Sequence, residues 1–264
     1  MEFRTIVDVE KPGFEIGACE EMLFVGSCFA DHIGKRFQEE KFRATVNPYG
    51  VMYNPASILH TIQRLDNLQS VKTAFFTLGT NHIYRLKETG EIVDNCQKRP
   101  QSLFTEEELT VDECADYLQR AIDILRQHNP DVRVVLTVSP IRYRKYGYHG
   151  SQLSKATLLL ATRQVAGASY FPAYEIVNDE LRDYRFYAED MLHPSSQAVE
   201  YIWQRFSEVY LSAEAKEFLR EWQPLKAALH HKPFNPESQE YRIFIDKTML
   251  KIAELQKKYP NFAL

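Results

Sequence analysis

Short apolar runs alternate with longer stretches in which apolar residues return every three or four positions. Met22-Leu23-Phe24-Val25 is the first run, ended by Gly26, and its unbroken apolarity reads as a strand covered on both faces. Phe29, Ile33 and Phe37 then recur at four-residue spacing, which predicts an amphipathic helix. After the loop Asn47-Pro48-Tyr49-Gly50, a helix is expected from Pro55 to about Leu68, since proline suits a first turn. Ala74 to Leu78 is the next strand, ended by Gly79. His82 to Asp94 reads as a hairpin turning at Thr89-Gly90. Thr110 to Gln127 is expected to be helical, with Thr110 as N-cap and Glu113 three residues on. Val132 to Val138 is the most β-branched strand, Ser151 to Val165 a helix, and Tyr170 to Val177 a last strand. Pro194 to Tyr210 places Val199, Ile202, Phe206 and Val209 on one helical face, and two more helices follow, about 213–229 and 239–257.

Strand and helix in regular alternation predict an α/β fold, a mostly parallel sheet of about five strands with helices on both faces. Residues 211–264 are expected to be a helical extension packed on one single domain, because their apolar stripes need cover. In such sheets the working residues lie where strands end at their carboxyl edge. The loops after Val25, Leu78 and Val138, and the segment 178–194, are therefore the places to look for chemistry.

The net charge of -4, from 32 Lys and Arg against 36 Asp and Glu, argues against nucleic acid as a partner. Four cysteines without a CxxC pair suggest neither a disulfide framework nor a metal site, and no cofactor is called for. The N-terminal residues lack an apolar leader core, and no run approaches a membrane span. The expectation is a cytoplasmic protein with no membrane partner, and the C-terminal helices are the face a homodimer would use.

Gly26-Ser27-Cys28 joins a strand end to a helix start, where free N–H groups favour negative charge. A thiolate there is expected to have a lowered pKa, and an oxyanion would meet donors already aimed. Alone, Ser27 also reads as an N-cap and Cys28 as a small packed residue. Asp190-Met191-Leu192-His193 has the spacing for a carboxylate to orient a histidine base. Gly79-Thr80-Asn81 offers a side-chain amide at another strand end. Arg142, Arg144 and Lys145 form a basic cluster, Asn95 and Cys96 sit beside the hairpin, and His149 and His230-His231 read as surface residues.

Taken in order, these signals have the layout of the SGNH (GDSL-like) hydrolases. The chain resembles one branch of them, the GSCFA family, named for the motif standing here at Gly26 to Ala30. The stretches FRATVNPYGVMYNPASI, FFTLGTNHIY, VDNCQKRP and LTVSPIR resemble that family's other segments, so the likeness runs from about Leu23 to Phe206. It implies a three-layer α/β/α fold with flavodoxin-like strand order. It further implies Asp190 and His193 as acid and base and Gly50 and Asn81 in the oxyanion hole. Gly26, Asn54, Gly79, His82 and Ser139 are then expected to line the substrate cleft. Aligning Gly26 without a gap puts Cys28 on the family serine and Ser27 on the aspartate before it. Cys28 is the nucleophile by position and Ser27 its rival. The implied activity is hydrolysis of an acyl ester, on a small-molecule or carbohydrate acyl ester. The alternatives are an acyltransferase with the same acyl-enzyme, a site impaired by the cysteine, or a non-catalytic binding module.

Overall fold

The computed structural model describes residues 3–94, 96 and 99–262. Its first half runs β1 (Glu21–Gly26), α1 (Cys28–Glu39), β2 (Arg43–Val46), α2 (Pro55–Arg64) and β3 (Thr73–Leu78). A small β insertion follows: β4 (His82–Leu86), β5 (Ile92–Val93) and β6 (Phe104–Glu108). Then come α3 (Val111–His128), β7 (Arg133–Val138), α4 (Gly147–Gln164) and β8 (Ser169–Tyr170). The chain ends with the short α5 (Ala173–Glu175), a π-helical turn at Ile176–Leu181, and α6 (Ser196–Tyr210), α7 (Ala213–His230) and α8 (Gln239–Lys258).

Five strands form one sheet in the order β2-β1-β3-β7-β8, and every neighbouring pair is parallel. This is the α/β architecture the alternation predicts. The central strands are apolar on both sides because both sides are covered. On one face Leu23, Val25, Phe76, Leu136 and Val138 pack with α2, α3 and α4. On the other, Met22, Phe24, Phe75 and Val135 pack with α1 and α6. Phe206 of α6 anchors that second layer, its ring 5.7, 5.5, 5.1 and 4.4 Å from those of Phe37, Phe75, Phe171 and Tyr210. Its removal to alanine would cost on the order of 3–5 kcal/mol by the usual cavity argument.

Local signals work where they are strong. Thr110 and Glu113 form a reciprocal capping box at the start of α3. Asn54 caps α2, and Pro55 occupies its first turn. Three elements differ from the sequence reading. Residues 171–177 are not strand: only Ser169–Tyr170 pair with β7, and Ile176 and Val177 lie buried in the π-helical turn. β2 and β6 were not expected, and the antiparallel order β5-β4-β6 makes the hairpin a three-stranded flap.

Helix α7 lies against the body of the protein. The Trp222 indole donates to the Glu39 carbonyl oxygen at 3.2 Å, and Phe218, Trp222 and Leu225 pack with Cys19, Ile252, Leu255 and Tyr259. No helix among the described residues is long and apolar enough to cross a membrane.

Candidate active site

β1 ends at Gly26, whose φ of +147° suits glycine, and a Cβ there would press into the Thr77 carbonyl oxygen. The Gly26 N–H donates to Asn47 Oδ1 at 2.9 Å, and the Asn47 amide donates to Asp31 Oδ1 at 2.7 Å. The turn is thus tied to both β2's exit and the first turn of α1. Ser27 follows as the N-cap of α1, its Oγ accepting from the Phe29 N–H at 3.2 Å and bonded to Thr77 Oγ1 at 3.0 Å. Ser27 is wholly buried, so the rival nucleophile is a capping residue facing the interior. Cys28, the first residue of α1, is half-buried. Its Sγ lies 3.9 Å from the Tyr53 hydroxyl.

The helix start does not lower this thiol as expected. Burial pushes the Cys28 thiol above its ordinary value, and the Tyr53 hydrogen bond opposes this only in part. A nucleophile here needs a base. Cys19 and Cys114 are buried, with thiols pushed up to about 12 by burial, and all four cysteines are free.

The base candidate is built by its own loop. Asp190 Oδ1 accepts the backbone N–H groups of Leu192 and His193 at 2.9 and 3.0 Å, while Oδ2 meets His193 Nδ1 at 2.6 Å. Those donors, the two backbone groups first, hold the Asp190 carboxyl down at about 2. Nε2 of His193 is left as the ring nitrogen not engaged by Asp190. The loop is docked on the end of β7: the Arg142 N–H donates to the Leu192 carbonyl oxygen at 3.0 Å, and its guanidinium to Met191 at 3.1 Å. The His193 ring stands 6.4 Å from that of His32, one helical turn past Cys28 on α1. No hydrogen bond joins Cys28 to His193 among the described residues.

The expected oxyanion donors, Asn81 and Gly50, each make local hydrogen bonds. Asn81 is 2% exposed; its amide donates to the Leu109 carbonyl oxygen at 2.8 Å and its N–H to Ser154 Oγ at 3.0 Å. Gly50 is exposed with φ +93°, and its N–H closes a turn on the Asn47 carbonyl oxygen at 2.8 Å. One amide N–H and the backbone N–H of Asn81 are thus engaged inside the protein, its Oδ1 is buried without a partner among the described residues, and the Gly50 N–H is closed in its turn.

The remaining expected cleft residues divide in the same way. Asn54 caps α2 and donates to the His82 carbonyl oxygen at 3.1 Å, and Ser139 is fully buried. His82 stacks on Tyr146 at 3.7 Å, and burial lowers its pKa despite Glu106 and Glu108 nearby. Lys145 of the basic cluster is paired with Glu106 at 2.9 Å, and His149, His230 and His231 are exposed. Cys96 is half-buried, and Asn95 lies outside the described residues.

Several residues at this edge escape sequence reasoning. Lys155 is buried in α4, its Nζ donating to the carbonyl oxygens of Gly79 and Ser139 at 2.6 and 2.8 Å. It thereby fastens the ends of β3 and β7 together, and burial pushes its pKa down to about 7. Tyr53, Tyr143 and His32 join Cys28 at the same place. The sequence signal for His32 is its four-residue spacing from Cys28; no spacing or motif singles out the two tyrosines. No group of acidic, histidine or cysteine side chains suited to hold a metal occurs among the described residues.

The fold and this edge define a doubly wound α/β protein with a thiol and an oriented histidine beyond the carboxyl ends of its strands. The chain belongs to the GSCFA family: that family's model matches residues 21–71 and 65–206. A model described as the C-terminal domain of GSCFA domain proteins matches residues 222–264. A search of curated protein sequences finds no match. Among solved structures, a catalytic mutant of an acetylxylan esterase from Geobacillus stearothermophilus is similar at 14% identity. The match covers 75% of this chain and 98% of that one, with a TM-score of 0.49. A carbohydrate esterase family 3 structure from Talaromyces cellulolyticus is similar at 10% identity over 76% and 99% of the two chains, TM-score 0.38.

Proposed function

We propose that the protein is a thiol-dependent acyl-ester hydrolase, with Cys28 as nucleophile, His193 as base and Asp190 as the carboxylate that orients it. The observation that carries this reading is the Asp190–His193 pair at 2.6 Å, on a loop docked beside the helix that begins at Cys28. The burial of Ser27 and its bond to the Phe29 N–H favour Cys28 over it.

In the reaction, His193 Nε2 takes the proton from the Cys28 thiol as sulfur attacks the acyl carbonyl carbon. The carbonyl electron pair moves onto oxygen. When it returns, the carbon–alkoxide bond breaks and the leaving alcohol takes the proton from His193. Water, deprotonated by His193, then attacks the thioester carbon. The carboxylic acid leaves and the Cys28 sulfur regains its proton. The first oxyanion donor is the N–H of Cys28 itself, at the start of α1. The substrate class is an O-acylated carbohydrate: exposed Tyr53, Tyr148 and Tyr184 offer rings on which a sugar face can stack.

The test is turnover of short-chain p-nitrophenyl esters. Cys28→Ala and His193→Ala should each lose at least about 10³-fold in kcat/KM. Ser27→Ala should keep its kcat and lose about 1 kcal/mol of stability through the missing cap. Wild-type turnover in Cys28→Ala would overturn the reading.

A further inference from the structure

We propose that the Tyr143 hydroxyl is the side-chain oxyanion donor of this site, in the part that the family resemblance gives to Asn81. The proposal rests on the reading of Cys28 as nucleophile.

Four observations converge on it. The Tyr143 hydroxyl is a buried polar group with no hydrogen-bond partner among the described residues. Such a group is costly to keep and calls for a reason. Its neighbours are the nucleophile's neighbours: the Tyr53 ring stands edge-on 6.2 Å from the Tyr143 ring, and the Tyr53 hydroxyl is 3.9 Å from Cys28 Sγ. The hydroxyl is held in place. The Tyr143 N–H donates to Ser151 Oγ at 3.1 Å, the Lys155 ammonium lies 4.9 Å from the ring centre, and the ring stacks at 6.1 Å with Tyr146. The space it occupies exists because residue 79 is glycine: a Cβ there would collide with the Tyr143 hydroxyl.

The chemistry fits. A phenol donates one strong hydrogen bond, and one held dry and pre-aimed costs no reorganisation when charge develops on the substrate oxygen. Burial raises the Tyr143 pKa well above the ordinary phenol value, so the group stays a donor at any working pH. Tyr53, 40% exposed, stands beside both Cys28 and Tyr143.

Tyr143→Phe removes one oxygen and keeps the ring. Three quantities are measured on the full chain: kcat/KM for p-nitrophenyl acetate, the rate of Cys28 alkylation by iodoacetamide, and the melting temperature. Alkylation is a displacement at carbon that forms no oxyanion. The expected result is a fall in kcat/KM of about 10²–10³-fold, as for loss of an oxyanion donor. Alkylation should stay within about twofold and melting should be unchanged. Wild-type kcat/KM in Tyr143→Phe, with Cys28→Ala inactive, overturns the donor role and leaves the thiol reading standing. Alkylation falling in step with turnover would mean that Tyr143 acts on the thiol, which also overturns it. An unfolded Tyr143→Phe would show that the hydroxyl has an internal partner, and the donor role falls in that case too. Full turnover in Cys28→Ala ends both readings together.

Discussion

The loop that carries Asn81 and the loop that carries His193 leave the same edge of the protein and use their polar atoms in opposite ways. In the first, one amide N–H and the backbone N–H of Asn81 are engaged inside the protein by Leu109 and Ser154, while its Oδ1 stays buried without a partner among the described residues. In the second, Asp190 and His193 satisfy each other at the surface, with side chains 45% and 35% exposed, leaving one imidazole nitrogen unclaimed by the pair. The lesson is that residue type and spacing set what a group can do, while the partners the fold gives it decide whether it is free to do it. The interior holds the Asn81 amide through the Leu109 carbonyl oxygen. A half-exposed pair keeps capacity in reserve.

The sharpest way to break this contrast is Asp190→Asn. Loss of the carboxylate changes the tautomer and aim of His193. Ester turnover should fall about 10²-fold while the melting temperature stays within a few degrees. Equal turnover in the variant and wild type would remove the functional meaning of the exposed pair. Asn81→Ala should behave in reverse. It leaves the Leu109 carbonyl oxygen buried without its donor, at a cost of about 1–3 kcal/mol in denaturant unfolding. Turnover per folded molecule should hold; a collapse of turnover with stability intact would put Asn81 back among the working groups.

The smallest effect is acid titration. The Asp190 carboxyl is held down at about 2, below its unfolded value of about 3.9. Its contribution to stability is therefore complete above about pH 4 and is lost as pH falls through about 2. Because the carboxyl is largely exposed, that contribution is small. Carbon-detected NMR should show its midpoint near 2, and a midpoint near 4 would mean the pairing is absent in solution.

How much of this was legible beforehand follows the same division. β1, β3 and β7 could be read from their apolar runs, since strands covered on both faces leave no polar alternation. β2 could not: Arg43–Val46 is an edge strand whose positions run exposed, half-buried, exposed, half-buried. Three consecutive glutamates hid β6, which pairs with β4 at the surface. Ile176 and Val177 were misread because a short buried apolar run looks alike in a strand and in a helical turn. At the site, the order of loops was visible in the residues. The inward turn of Asn81, the capping role of Ser27 and the convergence of Tyr53, Tyr143 and His32 depend on where side chains point, which letters along a chain do not carry.

Helix α1 begins at Cys28, is capped by Glu40 and spans roughly 18 Å. Its far end is bolted into the C-terminal helices. Glu40 has a wholly buried side chain, held by Arg36 and by Lys226 and Gln223 of α7, while Trp222 ties down the Glu39 carbonyl. The thiol thus stands on a beam whose footing is α7, the first helix of the tail. A chain cut before residue 222 would leave that carboxylate with Arg36 alone, and removing partners from a buried charge is among the more destabilising changes a protein can suffer. Shortening the tail is therefore an operation on the foundation of the candidate nucleophile, although nothing in the tail's own sequence looks chemical.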